Sequence, residues 1–272
     1  MEPFSVLLSL YAKEEPGNLR ECLTSVFSQS LMPDEVVLVL DGPIPEGLDS
    51  VVRDFSARYP SLKVVAFSLN RGLGPALHDG VKLCKYDVIV RMDTDDICRH
   101  DRFKKQMEYL YTHSDIDLVG GQITEFIDTF DNIVGYRGVP FSHNEIMIFL
   151  KSRCPFNHMT VAFRRESVLR SGNYQEWYYN EDYYLWIRMA LAGCKFANIP
   201  DNLVNVRVGK EMYKRRGGWR YFKSEARLQR YMLNHGIISL PRYCFNTFGR
   251  FAVQVAMPNK LRGFIFQKLF RK

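Results

Sequence analysis

The stretch Asp87-Val-Ile-Val-Arg-Met-Asp-Thr-Asp-Asp-Ile97 predicts a buried strand that ends in a cluster of acidic residues. Val88–Val90 are β-branched and apolar, which is typical of a short buried strand. Three carboxylates follow within four positions, at Asp93, Asp95 and Asp96. Carboxylates repel one another, so a buried cluster is costly unless a cation or hydrogen bonds compensate. Mg²⁺ and Mn²⁺ prefer such oxygen ligands, and the cluster therefore indicates a divalent-metal site.

A simpler alternative is that Asp95 or Asp96 only caps the following helix, which the spacing of Phe103, Met107 and Leu110 predicts. Capping needs one Asp, however, whereas this stretch has three. In an open α/β sheet, ligands bind beyond the carboxyl ends of the strands, which is where the cluster stands.

Strands and helices alternate about four times in the first 112 residues. Apolar runs predict strands at 4–10, 35–40, 63–67 and 88–90, and apolar residues at helical spacing predict helices between them. This alternation predicts an α/β fold with an open, mostly parallel central sheet flanked by helices. Because crossover connections are right-handed, Asp41 and the Asp93–Asp96 cluster are expected along one edge of the sheet.

After Leu110 the pattern changes. It predicts strands at 117–124, 134–136, 159–163, 195–199 and 203–208, and helices at 145–151, from Arg165 and at 180–192. From Gly217 onwards the chain is predicted to be helical and basic. We therefore expect one domain at residues 1–208, with two halves that meet near residue 112, and a basic helical C-terminal region at 209–272.

Composition and charge narrow the class of protein. The chain has 272 residues, 46% of them hydrophobic, which is enough for a large core. Its six cysteines are far apart, and it has neither an export signal nor a run of about 18 apolar residues, so we expect a cytoplasmic protein with reduced thiols. Residues 207–272 hold 16 Lys and Arg against two acidic residues, whereas residues 1–206 hold 21 against 28. The basic C-terminal region indicates an anionic partner, such as a membrane surface, a phosphorylated substrate or nucleic acid.

Five short motifs, in their order and spacing, resemble those of glycosyltransferase family 2, the inverting sugar-nucleotide transferases with a GT-A fold. They are Ser5–Tyr11, Asp41-Gly42, Asn70–Gly74, Asp93–Asp96 and Glu181–Trp186. The resemblance covers residue 4 to about 208, and it implies a nucleotide-binding half at 1–112 and an acceptor half at 113–208. Within the family the chain is most similar to bacterial enzymes of O-antigen, capsule and exopolysaccharide assembly.

On the donor side, the resemblance implies a divalent metal, Mn²⁺ or Mg²⁺, and a UDP-sugar. Asp95 would bind the metal directly, Asp93 would bind it through water or hold the ribose, and Asp96 would support the site or contact the sugar. The other nucleotide contacts implied are Ser9, Tyr11, Asp41 (to the uracil N3–H), Gly72 and Arg207. Alternatives stay open for several of them: Asp41-Gly42 is also a common turn, Tyr11 could be a partly buried aromatic, and some basic residues near Arg207 could be merely solvated.

On the acceptor side, the resemblance implies that Asp182 is the catalytic base and that Glu181 contacts a sugar. His158 would lie near the acceptor, and Trp177 would stack on a sugar ring, as Tyr178 or Tyr179 could. Each has a structural alternative. Two acids suit the first turn of any helix, a lone His is more often structural, and an aromatic loop could simply pack on the core.

The substrates implied are a UDP-hexose, with glucose or galactose expected, and GlcNAc- or GalNAc-diphospho-undecaprenol at the inner face of the cytoplasmic membrane. Two alternatives are a sugar-1-phosphate nucleotidyltransferase, which would need a basic phosphate loop where Tyr11–Pro16 is acidic, and a nucleic-acid-binding protein that uses the basic region. We expect no nucleic-acid partner. The segment Leu261–Lys272 combines aromatic and basic residues, and it predicts either a helix at an anionic membrane surface or one docked on the domain.

Overall fold

The computed structural model describes residues 2–209 and 217–257. The first part alternates between strands and helices, as the sequence predicts. Its elements are β1 (Phe4–Leu10), α1 (Pro16–Val26), β2 (Glu35–Leu40), α2 (Glu46–Arg58), β3 (Leu62–Ala66), α3 (Leu73–Leu83) and β4 (Val88–Asp93). These four strands lie in the order β3-β2-β1-β4 and are all parallel.

The register of the parallel strands brings their carboxyl ends to one edge. Ser9 of β1 pairs with Asp93 of β4 on one side and with Val39 of β2 on the other. The backbone N–H of Asp41, just after β2, donates to the carbonyl of Leu10 at 2.7 Å. Asp41 and Asp93 therefore lie on either side of the end of β1, as the right-handed crossover rule requires.

The second part of the described chain extends the same sheet with mixed pairing. Its elements are β5 (Ile97–Cys98), α4 (Arg102–Thr112), β6 (Leu118–Phe126), β7 (Ile133–Arg137), α5 (His143–Leu150), β8 (Ala162–Arg164), α6 (Arg165–Arg170), α7 (Glu181–Leu191), β9 (Phe196–Arg207), α8 (Trp219–Asn234) and α9 (Leu240–Phe251). Strand β8 is antiparallel to both β4 and β6, whereas β6 and β9 are parallel. The α/β class is confirmed, and the parallel arrangement predominates in the first four strands.

Two local predictions are corrected, and one alternative interpretation is ruled out. The strand predicted at 159–163 is a 3₁₀ turn over His158–Thr160 followed by the short strand β8. The strands predicted at 195–199 and 203–208 form the single strand β9, which passes Pro200 through shifts in its pairing with β6. The helix after the acidic cluster begins at Arg102 with Asp101 as its N-cap residue, so neither Asp95 nor Asp96 caps it.

The sheet has a buried apolar layer on each face, because successive strand residues point to opposite sides. Val6 and Leu8 of β1 belong to the layer under α1, α2 and α4. Leu7 belongs to the opposite layer, which includes Trp186 of α7. Leu228 of α8 is also part of that second layer, so the C-terminal helices share a core with the rest of the described chain. The boundary at residue 208 stays a prediction.

Gln106 of α4 connects the two halves through buried hydrogen bonds. Its Nε2 donates to the carbonyls of Val119 at 3.2 Å and Thr160 at 2.8 Å, and its Oε1 accepts from the Nε of Arg102 at 2.9 Å. The side chain is fully buried. It therefore fixes β6 and the turn before β8 relative to the helix that follows the acidic cluster.

We predict that Gln106→Leu lowers the free energy of unfolding by about 3 kcal/mol. The carbonyls of Val119 and Thr160 and the Nε of Arg102 each lose a hydrogen bond, and a buried polar group left without a partner costs about 1–3 kcal/mol. Chemical denaturation measures this change. Lys104→Leu is the matched control on the same helix, because the Lys104 side chain is 54% exposed, and it should change stability little. Equal losses in the two variants would contradict the role of Gln106.

Candidate active site

The three carboxylates after β4 form one cluster. Asp93, Asp95 and Asp96 each offer an oxygen, and these oxygens lie within 4.8 Å of one another. Asp96 is buried, and Asp93 and Asp95 are partly buried. Burial, reinforced by Asp93 and by Glu14 of the loop after β1, raises the pKa of Asp95 to about 7. Crowded acidic oxygens of this kind fit a hard divalent cation, which would relieve their repulsion.

Arg91 supplies positive charge directly beneath the cluster. It is 1% exposed, and its guanidinium holds the Asp93 carboxylate with two hydrogen bonds, one of 2.8 Å from Nη1 and a second from Nη2. The two residues are two positions apart on β4, so their side chains point to the same face of the strand. The backbone carbonyl of Arg91 accepts from the buried Arg102 at 2.7 Å, which fixes the strand at this point.

Arg207, at the end of β9, organises the rest of the acidic turn. Its backbone N–H donates to the Asp96 carboxylate at 2.9 Å, and its guanidinium donates to the carbonyls of Asp95 at 3.3 Å and Asp128 at 2.7 Å. The guanidinium also pairs with Glu21 of α1. The side chain predicted to contact the nucleotide thus lies beside the cluster, where it has protein partners.

The Asp41 carboxylate orders the loop that carries Gly72. One of its oxygens accepts from the backbone N–H of Arg71 at 2.8 Å, and the other accepts from that of Gly72 at 2.9 Å. Gly42 has a φ of +89°, and a Cβ there would lie 2.6 Å from the backbone nitrogen of Asn70. Asp41-Gly42 therefore forms a tight turn, as its alternative interpretation predicts, and the carboxylate is buried with both oxygens bonded to backbone N–H groups. Ser9 and Tyr11 lie at the same edge, at and just beyond the end of β1.

The second acidic pair begins α7. Burial raises the pKa of Glu181, with Asp182 adding to the effect. Burial also raises the pKa of Asp182, while the backbone N–H of Tyr183 and the charge of Arg91 oppose the rise. The Cys154 thiol donates to an Asp182 oxygen at 3.6 Å. The charges of Arg91 and Asp93 both act on the pKa of Glu181. The two acidic clusters are therefore close enough to interact electrostatically.

His158 lies beside this pair and is held as a neutral imidazole. Its Nε2 is hydrogen-bonded to the Tyr174 hydroxyl at 2.9 Å, and its ring packs edge-on against Trp186. Burial lowers the pKa of His158 well below its usual value, and the nearby charge of Arg91 acts in the same direction. An uncharged His at this place suits hydrogen bonding to a polar ligand rather than charge pairing.

The structure does not bring Trp177 to the site, which corrects that prediction. Its ring is 7% exposed, it packs against Tyr184, and its indole N–H donates to the carbonyl of Ser224 at 3.2 Å. Arg227 of α8 covers its other side. Trp177 therefore helps to hold α8 against the rest of the described chain. A buried Trp usually finds a hydrogen-bond partner for its indole N–H, and here α8 supplies it.

Tyr179, which is also predicted from the sequence as an aromatic that could stack on a sugar, lies at the surface. It is 50% exposed and lines a cavity of about 470 Å³ that also contacts Asp182 and His158. Its φ of +53° is uncommon for a residue other than glycine and indicates a constrained loop.

Sequence reasoning missed three further residues at the site: Arg91, Glu14 and Cys154. Only Arg91 carried a signal, because a basic residue two positions before an acid on one strand shares its face. Glu14 and Cys154 come from distant loops, and only the tertiary structure places them.

The family profile described as Glycosyl transferase family 2 matches residues 5–172. An uncharacterized glycosyltransferase of Haemophilus influenzae is 45% identical over 99% of both chains. Amylovoran biosynthesis glycosyltransferase AmsE of Erwinia amylovora is 44% identical over 85% of both. An Escherichia coli enzyme named UDP-Gal:alpha-D-GlcNAc-diphosphoundecaprenol beta-1,3-galactosyltransferase is 36% identical over 99% of this chain and 97% of its own. These matches favour a transferase over both alternatives.

Solved structures show the same fold. S. aureus TarS 1–349 in complex with UDP-GlcNAc has a TM-score of 0.68 at 16% identity, over 97% of this chain and 81% of its own. The mannosyltransferase PcManGT from Pyrobaculum calidifontis, in complex with GDP-Man and Mn²⁺, has a TM-score of 0.66 at 17% identity, over 96% and 72%. This chain spans 43% of a longer TarS chain. These similarities establish the GT-A architecture.

The raised pKa of Asp95 predicts a pH dependence of stability in EDTA. An acid whose pKa is higher when folded stabilises the folded state below its unfolded pKa, and this contribution is lost as the pH rises through about 7. We expect Asp95→Asn to gain stability relative to the unsubstituted protein between about pH 5 and pH 8, as thermal unfolding measures. Asp115→Asn is the control, because a hydrogen bond from Lys195 lowers the pKa of the exposed Asp115. An Asp95→Asn difference that stayed constant with pH would contradict the prediction.

Proposed function

The chain belongs to glycosyltransferase family 2, and from this premise we propose that it transfers a hexose from a UDP-sugar to a lipid-linked sugar with inversion. Glucose or galactose is the expected hexose. The expected acceptor is GlcNAc- or GalNAc-diphospho-undecaprenol, in the synthesis of a surface polysaccharide such as O-antigen or capsule. The name of the Escherichia coli relative supports both the galactose and the diphospho-undecaprenol parts of this proposal.

One observation carries the proposal: two partly buried acidic clusters both interact with the buried Arg91. Asp93 binds its guanidinium directly, and Asp182 and Glu181 interact with the same charge from α7. An inverting transfer needs separate groups for the leaving diphosphate and for the attacking hydroxyl. The arrangement supports assigning the first cluster to the donor and the second to the acceptor.

On the donor side, Asp93 and Asp95 would hold Mn²⁺ or Mg²⁺, which stabilises negative charge on a leaving diphosphate. Asp41, Ser9 and Tyr11 would contact the base, as the family resemblance implies. The backbone around Gly72 begins α3, and a helix N-terminus favours anionic groups. Arg207 would keep the acidic turn in place through its contacts with Asp95 and Asp96.

On the acceptor side, Asp182 would act as the general base. It would take the proton of the acceptor hydroxyl while that oxygen bonds to the anomeric carbon and the bond to UDP breaks on the opposite face. A raised pKa suits this role, since a base is most effective when its pKa approaches the working pH. Glu181 and His158 would contact the sugars, whereas Asp96, which is buried and accepts from the backbone N–H of Arg207, would support the donor site.

We predict that a panel of UDP-sugars contains one whose UDP is released in the presence of Mn²⁺ and a GlcNAc-diphosphate-lipid. EDTA should abolish the reaction. Asp182→Asn should lower kcat by about 10²–10⁴-fold, the usual contribution of a positioned base, while UDP binding with Mn²⁺ is retained. Asp95→Asn should lose that binding, as calorimetry would show.

Asp115→Asn is the matched control, because its side chain is 61% exposed and pairs with Lys195 outside the site. It should have normal activity. Normal turnover by Asp95→Asn would contradict the metal assignment, and failure of the unsubstituted protein to bind any uridine nucleotide would overturn the proposed function.

We also propose that the protein works at the inner face of the cytoplasmic membrane. Within the residues that the structure describes, no helix is both long and apolar enough to cross a bilayer. The segment predicted to bind lipid, 258–272, lies outside the described residues. It holds five Lys and Arg, three Phe and no acidic residue, a composition that suits an anionic lipid surface.

We predict that deletion of residues 258–272 weakens binding to vesicles that contain anionic phospholipid, because each basic residue near such a surface contributes about 1 kcal/mol. Vesicle co-sedimentation measures the loss. Vesicles of neutral phospholipid are the control and should bind the two forms alike. If the deleted form bound the anionic vesicles as well as the full chain, residues 258–272 would not contribute to membrane binding.

A further inference from the structure

Helix α9 turns its polar side towards the protein. Asn246, Arg250 and Gln254 recur every four residues along α9 and the turn after it, and all three are largely buried. The Asn246 amide donates to the side chain of Gln229 at 2.8 Å and to the carbonyl of Lys151 at 2.9 Å. Burial of polar groups on a surface helix needs such partners.

A buried ion pair completes this inward contact. Arg250 pairs with Glu225 of α8, with side chains that are 14% and 12% exposed. Arg250 also donates to the carbonyl of Ser152 at 2.7 Å. The orientation of α9 is therefore fixed by specific polar contacts rather than by an apolar face.

The outward side of α9 is apolar as a consequence. Phe245 and Phe248 are each 74% exposed, and Leu240 is 60% exposed. Phe251, 38% exposed, contacts the exposed ring of Trp219 and extends this surface towards α8. A soluble helix normally shows the opposite arrangement, and an apolar patch of this kind marks a binding surface.

The cavity of about 470 Å³ connects this surface with the second acidic pair. Asp182 and His158 line one part of it, and Phe245, Gly249 and Val253 line another. Since Asp182 is largely buried whereas Phe245 is mostly exposed, the cavity runs from the reacting end outwards to α9.

The cavity also has a cationic section. Arg137 and Arg153 line it, and the charge of Arg137 acts on Asp182. Glu225 and Arg250, which line it as well, already neutralise each other. Guanidinium groups suit a diphosphate dianion.

We propose that this cavity is the acceptor channel of the transferase and that the prenyl chain of a prenyl-diphosphate-linked sugar leaves it across the aromatic face of α9. The sugar hydroxyl lies at Asp182, the diphosphate lies near Arg137 and Arg153, and the chain packs on Phe245 and Phe248. This assignment rests on the proposed function. It makes the C-terminal helices part of the substrate site.

The test compares two soluble acceptors, GlcNAc-diphosphate esters that carry either a methyl group or a long alkyl chain. The unsubstituted protein should show a lower KM for the long-chain ester. In Phe245→Ser/Phe248→Ser the ratio of the two KM values should shrink by about tenfold, the scale of losing one buried aromatic contact. Both side chains are mostly exposed, so their replacement leaves the core intact.

Tyr111→Ser is the matched control, because Tyr111 is 70% exposed on α4 and does not line the cavity. It should keep the ratio of the unsubstituted protein. An unchanged ratio of KM values in the α9 variant overturns the proposal. If that variant also changes from dimer to monomer, the aromatic face binds a second copy of the chain instead. UDP release with the methyl ester tests the proposed function separately.

Arg153→Gln tests the cationic section. Arg153 is exposed, so folding should not depend on it. The preference for a GlcNAc-diphosphate ester over an alkyl glycoside of GlcNAc, expressed as a KM ratio, should fall by about tenfold. A ratio equal to that of the unsubstituted protein overturns the placement of the diphosphate.

Discussion

A buried guanidinium that interacts with two groups of carboxylates is the constraint on which this site depends. Arg91 is almost completely buried, binds Asp93 through both terminal nitrogens and acts electrostatically on Asp182. A buried charge is tolerated only when it is paired, and several buried acids need a nearby cation for the same reason. Arg91 meets both needs, because its charge interacts with acids of both clusters.

The fold delivers each group to this point by a different route. Parallel strands bring Asp41 and Asp93 to one edge, and the end of β9 places the backbone N–H of Arg207 on the Asp96 carboxylate. The helix α7 brings Asp182 from the second half, and its position is fixed by the buried layer that α8 shares. A transferase must expose its donor and acceptor sites to different substrates while the reacting atoms meet. Two halves built on one continuous sheet meet this requirement.

Features with a strong local pattern could be predicted from the sequence. The four parallel strands, their order of appearance and the acidic cluster at a strand end follow from the alternation of apolar residues and from the position of Asp93. Which aromatic residue before α7 is exposed at the cavity could not be predicted. Trp177 and Tyr179 are two residues apart, and only packing against α8 decides that Trp177 is the buried one. The single strand β9 was also missed, since Pro200 suggests an interruption, whereas pairing with β6 continues past it. The inward polar face of α9 depends on partners in Glu225 and Gln229 that no local pattern shows.

The proposed roles of the two acidic clusters are metal and donor binding for the first and acceptor activation for the second. They are tested most directly by a crystal structure with UDP and Mn²⁺, in which anomalous scattering locates the metal. We predict an anomalous peak in direct contact with the Asp95 carboxylate, a uracil ring beside Asp41, and no metal at Asp182. An anomalous peak bound by Glu181 and Asp182, or a nucleotide in the cavity that Phe245 of α9 lines, would contradict these roles.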